Sequence, residues 1–167
     1  MTFACLGLGS NLGDSFKTLK DAVTCLQKAN SVQLDKHSSC YVSKPWGREN
    51  QPDFLNAVIG IQTQLSAEEL LSCVQAIELH FERKRTIKWG PRTLDIDILC
   101  YGQLQQTDSA LSLPHPYFSE RDFVLVPLHE IYPNLVIAEK AVSEWLAFYL
   151  ERFPNRPLPE KLKTALI

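Results

Sequence analysis

The chain has 167 residues, 45% of them hydrophobic and 22% charged, and a formal net charge of −2. That length predicts one domain with a proper core, and that charge excludes a general nucleic-acid binder, which carries a basic bias. No apolar run approaches the ~20 residues of a membrane helix, and residues 1–8 lack the charged start and length of a secretory signal.

Phe3 to Gly9 reads as a buried strand. Gly13-Asp14-Ser15 opens a helix, capped by Asp14 or Ser15, in which Phe16, Leu19, Ala22, Val23, Leu26 and Ala29 recur at helical spacing. Val32 to Val42 reads as a strand, and Lys44 to Pro52, with two prolines and a glycine, as a loop. Asp53 to Leu65 alternates: Leu55, Ala57, Ile59 and Ile61 share one face, and Phe54, Asn56 and Val58 the other. Ser66-x-x-Glu69 is a capping box before a helix carrying Leu70, Leu71, Val74, Ile77 and Phe81. Residues 83–93 are basic and contain Gly-Pro, which predicts a second loop, and Leu94 to Tyr101 is the next strand. The order β-α-β-β-α-β predicts an α+β, ferredoxin-like fold with two helices on one face of an antiparallel sheet. Beyond it, Gly102 to Leu113 reads as a small hairpin. Arg121 to Ile131 reads as a helix in which Pro127 must sit in the first turn or at a break, and Ala141 to Phe153 as another. One domain is expected over 1–153, with a Pro-containing tail over 154–167.

Five cysteines, at 5, 25, 40, 73 and 100, form no C-x-x-C pair. They read as reduced, buried thiols of a cytoplasmic protein. Gly7-x-Gly9-x-x-x-Gly13 is a residue too long for a dinucleotide fingerprint, and no P-loop motif occurs. Phosphate recognition, if present, falls to side chains and metal.

The chemistry concentrates in Lys88-Trp89-Gly90-Pro91-Arg92-Thr93-Leu94-Asp95-Ile96-Asp97-Ile98-Leu99. Asp95 and Asp97 are two apart on a strand, roughly 7 Å at Cα, so their carboxylates share a face. Alone, the pair is consistent with a solvated face, with arginine ion pairs or with a metal site. Arg83, Lys84, Arg85, Lys88 and Arg92 lie just upstream. Acids for Mg²⁺ beside cations for phosphate oxygens suit nucleotide phosphoryl chemistry, and arginine forks match phosphate oxygens where lysine gives only charge. Asn56 carries the donor and acceptor that suit a guanine-like edge, and Phe54, Trp89 and Phe123 can sandwich a flat ring. His115 in Pro114-His115-Pro116 reads alone as a loop histidine. Gln75 and Glu78, one turn apart, read as a solvated helix face.

The same stretch closely resembles the signature of the 6-hydroxymethyl-7,8-dihydropterin pyrophosphokinases of folate synthesis. Gly9-Ser10-Asn11-Leu12-Gly13, Pro52-Asp53-Phe54-Leu55-Asn56-Ala57 and Leu113-Pro114-His115-Pro116 follow that family's order, over residues 1 to about 135. The resemblance implies pyrophosphate transfer from ATP to a dihydropterin, with Asp95 and Asp97 holding two Mg²⁺ ions and Arg83 and Arg92 at the transfer centre. It implies an ATP site of Gln75, Glu78, Arg85, Trp89, Arg92, Ile98, Ser112, His115 and Arg121. It places Ser43, Pro45, Trp46, Phe54, Asn56, Trp89 and Phe123 around the pterin. It implies a monomer whose partners are these small molecules, with no nucleic acid and no membrane. Two rival readings stand beside it: a metal-dependent nucleotidyl transferase, and a ligand-binding regulatory module on the same fold.

Overall fold

A computed structural model describes residues 1–29, 31–81 and 90–167. β1 (Thr2–Ser10) lies inside a six-stranded antiparallel sheet, between β4 (Phe54–Thr63) and β5 (Asp95–Tyr101). Such a central strand is sided twice, and the sequence alternates accordingly. Ala4, Leu6 and Leu8 pack into one hydrophobic cluster and Cys5 into another. α1 (Ser15–Lys28) starts at Asp14, whose carboxylate accepts the Lys17 N–H, and buries Leu19, Ala22, Val23 and Leu26 against the first face. α2 (Ala67–His80) begins with the expected Ser66/Glu69 capping box and buries Leu70 and Val74 there too.

The expected strand 32–42 is two strands, β2 (Val32–His37) and β3 (Tyr41–Ser43), both paired with β4. The break is at Ser38. Its main chain donates to the Val58 carbonyl, and its hydroxyl accepts the Val58 N–H at 2.9 Å, so a side chain replaces a ladder carbonyl. The second face of the sheet is covered by α3 (Asp122–Ile131) and α4 (Val142–Arg152), through Val124, Leu125, Leu128, Val142 and Tyr149. Pro127 is inside α3, neither in its first turn nor at a break. It removes one helical hydrogen bond, and its ring is buried. Gly60 admits Tyr132 to this face, because a Cβ at 60 would fall 2.0 Å from the tyrosine oxygen. The predicted hairpin over 102–113 amounts to a turn and a single bridge, Gln106 to Leu113. A short hairpin, β6 (Val136–Ile137) with β7 (Lys140–Ala141), precedes α4.

The Pro-containing tail is docked. β8 (Glu160–Lys161) pairs with β3, the Leu162 N–H donates to the Cys40 carbonyl, and Leu166 is fully buried in the first core. Glu130 of α3 joins this edge, accepting from the Ser39 N–H and hydroxyl, the Tyr41 hydroxyl and the Lys161 ammonium.

Candidate active site

The site grows from strand register. Across β1 and β5, Gly9 pairs with Asp95 and Gly7 with Asp97; across β1 and β4, Gly9 pairs with Asn56 and Gly7 with Val58. Leu94, Ile96 and Ile98 are buried toward α1 and α2. The two aspartates therefore face the other way, as their i, i+2 spacing requires. The register shift after Cys5 makes Leu99 an extra residue of β5 and puts both Leu99 and Cys100 into the second core. A bulge of this kind re-aims a strand end. The carboxylates thus lie at the open end of the α3/α4 face, where glycines leave β1 bare.

A cleft lies there. Asp95, Asp97 and Arg92 line its β5 side, Ser43, Phe54 and Asn56 its β3/β4 side, and Arg121, Trp46 and Phe123 line it as well. Arg92 pairs with Asp95, and Arg121 Nη1 lies 3.3 Å from Asp97 Oδ2. Burial and the neighbouring Asp95 carboxylate push Asp97 up to about 7, against the pull of Arg121 and Arg92. Two carboxylates held this way are a costly arrangement that a further cation relieves. Their hard oxygens suit Mg²⁺, which needs only one or two carboxylates besides phosphate and water. Among the described residues no three His, Cys, Asp or Glu side chains gather into a metal cluster.

His115 Nε2 lies 3.7 Å from Asp97 Oδ2, and Nδ1 accepts the Tyr117 N–H. Burial, and then Arg121, push His115 down to about 4. The ring is therefore neutral near pH 7, with its proton on Nε2 toward the cleft. The Arg121 guanidinium lies 4.8 Å from the Trp46 ring centre, 5.4 Å from Tyr117 and 5.7 Å from Phe123. An aromatic cage of this kind holds a cation by cation–π attraction. On the β3/β4 side Asn56, buried, donates from Nδ2 to the Ser43 hydroxyl at 2.7 Å.

The structure brings together most of the residues singled out in the sequence, and it qualifies several. Pro45 is buried but does not line the cleft. Gln75 is exposed on α2, whereas Glu78, expected on the same solvated face, is buried. Its carboxylate accepts the Ile96 N–H at 2.7 Å. The reason is topological: β5 is an edge strand, and an outward N–H beneath a helix needs a partner. The Ile98 side chain is in the first core, so only its main chain, on the same edge as that of Ile96, is open to a ligand. Ser112 donates to the Asp108 carbonyl. Arg83, Lys84, Arg85, Lys88 and Trp89 lie outside the described residues.

Asn11 is a residue whose role the sequence did not disclose. It is buried after β1 and bonded to both neighbouring loop segments. In sequence it stands in Gly9-Ser10-Asn11-Leu12-Gly13 with no role assigned to it. Tyr117, whose ring centre lies 5.4 Å from the Arg121 guanidinium, carried no motif at all.

Residues 5–133 match the family model of 7,8-dihydro-6-hydroxymethylpterin-pyrophosphokinase. A protein of Methylorubrum extorquens named 2-amino-4-hydroxy-6-hydroxymethyldihydropteridine pyrophosphokinase is 46% identical over 147 residues, covering 88% of this chain and 93% of its own. One of that name from Aquifex aeolicus is 42% identical, covering 87% of this chain and 91% of its own. The crystal structure of Plasmodium falciparum HPPK-DHPS superposes over 93% of this chain and 45% of its own, with a TM-score of 0.69 at 13% identity, a likeness of fold alone. With its paired aspartates on β5 and 46% identity over nearly its whole length to a pyrophosphokinase, the chain belongs to the 7,8-dihydro-6-hydroxymethylpterin-pyrophosphokinase family.

Proposed function

We infer that the protein transfers pyrophosphate from ATP to the hydroxymethyl group of 6-hydroxymethyl-7,8-dihydropterin, yielding the pterin diphosphate and AMP for folate synthesis. The carrying observation is the register row Asn56–Gly9–Asp95, which sets a ring-recognising amide and a phosphate-side carboxylate on either side of one bare residue.

The pterin lies flat over Gly9 between Phe54 and Phe123, its polar edge toward Asn56 and Ser43. Its hydroxymethyl then points to the aspartate end. ATP enters from the β5 edge, its base along the Ile98 main chain near Gln75 and Glu78, and its phosphates toward Arg92, His115 and Arg121. The hydroxymethyl oxygen attacks the β-phosphorus, the bond from that phosphorus to the α–β bridging oxygen breaks, and AMP leaves. The hydroxyl proton passes to solvent. Arg92 and Arg121 supply preorganised donors to the charge that develops on the transferring group, and the neutral His115 adds an Nε2–H. Asp95 and Asp97 would hold two Mg²⁺ ions, which supply neutralisation and in-line alignment of the polyphosphate. Positioning carries most of the rate. Loop 44–52 closes over the substrates and excludes water.

The enzyme works as a monomer in the cytoplasm on this reading. The five free cysteines agree with a reducing compartment, and no helix among the described residues is long and apolar enough to cross a membrane. Incubation with ATP, Mg²⁺ and the pterin tests the reading. AMP and a pterin diphosphate are expected; released pyrophosphate would point to nucleotidyl transfer instead.

A further inference from the structure

We propose that Cys5 and Cys100 are a modification site: a small peroxide oxidises the two thiols to a disulfide between β1 and β5, which lowers turnover by re-aiming Asp97. The two residues are register partners on adjacent antiparallel strands. Both side chains enter the second core, so they share one face of the sheet, and both are free thiols. Directly opposed residues on such strands lie ~4.5–5.5 Å apart at Cα, inside the ~4.4–6.8 Å that a disulfide spans. The Cys5 thiol hydrogen-bonds the Cys100 sulfur, which raises Cys5 well above its ordinary value and lowers Cys100. Cys100 is therefore the thiol that ionises first, and Cys5 the partner that follows.

The thiols do not lie in wholly apolar surroundings. On its other side Cys5 pairs with Gly60 of β4, and Tyr132 occupies the space that a Cβ at 60 would fill. The Tyr132 hydroxyl bonds the carboxylate of the exposed Asp35. Burial, the bond to Asp35 and the nearby Cys5 and Cys100 sulfurs all raise that hydroxyl. A half-buried tyrosine that ends on a surface carboxylate gives a molecule the size of peroxide a polar route to the pair. There the Cys100 thiolate attacks one peroxide oxygen, the O–O bond breaks, and the departing hydroxide takes up the Cys100 proton as water. The Cys5 sulfur displaces hydroxide from the resulting sulfenic acid, the S–S bond forms, and the Cys5 proton leaves in a second water. Two thiols lose two electrons and the peroxide gains them; a small dithiol reverses the step by exchange.

The pair stands at the bulge. Cys5 pairs with Cys100 but Leu6 pairs with Ile98, so Leu99 is the extra residue, and Asp97 follows opposite Gly7. A bulge sets the aim of the strand beyond it, so a covalent tie on one side re-aims the carboxylate on the other. The turnover effect rests on the substrate reading above; the disulfide does not. Reduced, folded protein is treated with hydrogen peroxide, remaining thiols are alkylated in denaturant, and unreduced peptides are read by mass spectrometry. Turnover is measured before treatment, after it, and after dithiothreitol. A Cys5–Cys100 linked peptide is expected, with turnover lower by about tenfold or more and both changes reversed on reduction. Cys100→Ala should be active when reduced and should resist the treatment. If that variant does not fold, the wild-type peptide map and its reversal decide. Absence of the linkage, a linkage that leaves turnover unchanged, or an equal loss in Cys100→Ala overturns the proposal. Reduced wild type that forms no pterin diphosphate overturns the substrate reading instead, and the peptide map still decides whether the disulfide forms.

Discussion

Asp95 and Asn56 face one another across a single bare residue. Both are register partners of Gly9, one on β5 and one on β4. A Cβ at Gly9 would meet Asn56 Oδ1 at 3.2 Å and Phe54 at 3.8 Å. The floor of the cleft is thus flat because the residue there has no side chain, and the two halves of the chemistry are one strand apart.

Gly9→Ala should therefore act on the pterin side first. Overpacking costs about 1–3 kcal/mol, which predicts roughly tenfold weaker pterin binding with ATP binding little changed. Calorimetry with each ligand checks this. Equal losses for both would mean that Gly9 serves the fold and not the floor.

Asp95→Ala and Asp97→Ala should each lose most turnover while staying folded. A misplaced metal costs several kcal/mol, and each ~1.4 kcal/mol is tenfold in rate. Steady-state assays across a Mg²⁺ titration read the effect. Near-normal turnover at saturating Mg²⁺ in either variant would remove that residue from the metal site.

Arg92→Lys should behave as a severe change. The main chain of Arg92 is held by Asn11, and its guanidinium pairs with Asp95. Lysine keeps the charge and loses the planar fork. Loss of one preorganised donor predicts a transfer barrier higher by about 2–4 kcal/mol. Single-turnover measurements with both substrates saturating isolate that step. A wild-type transfer rate would reduce Arg92 to an ATP anchor.

The docked tail predicts a stability effect far from the cleft. Leu166 is fully buried, so Leu166→Ala should cost about 2–5 kcal/mol, read as a lower urea midpoint with an unchanged slope. A midpoint equal to the wild type would mean the tail lies free in solution.

Glu130 gives the pH dependence. Burial alone would raise its carboxyl; the bonds from Lys161, Ser39 and Tyr41 outweigh that and hold it below its ordinary 4.5. A carboxyl depressed by folding contributes stability above its unfolded pKa, and that contribution is lost as pH falls through the folded value. Unfolding below about pH 4.5 should therefore be steeper in the wild type than in Glu130→Gln. Parallel acid-unfolding curves for the two proteins would show that these bonds add nothing.

Much of this architecture is legible in the chain because period and spacing report local geometry. Leu94 to Ile98 alternates, and the aspartates share a face. Leu55 and Asn56 divide the faces of β4, and Ser66 and Glu69 begin α2 where expected. What the sequence concealed depends on neighbours. Glu78 looks like a solvated helix residue until β5 proves to be an edge strand with an N–H to satisfy. Ser38 breaks a well-patterned strand because its hydroxyl takes the place of a carbonyl. Leu166 lies in a stretch with three prolines that reads as a tail, and its burial follows from the pairing of β8 with β3. Asn11 stands in a recognised motif without a role, because its partners are distant in the chain.

Positional isotope transfer tests the central claim most directly. ATP labelled separately at the α-, β- and γ-phosphorus is incubated with the protein, Mg²⁺ and 6-hydroxymethyl-7,8-dihydropterin, and the label in the pterin product is read. Pyrophosphoryl transfer predicts β and γ label together in the pterin, with α label in AMP. Label from the α-phosphorus in the pterin, or from the γ-phosphorus alone, would contradict the account.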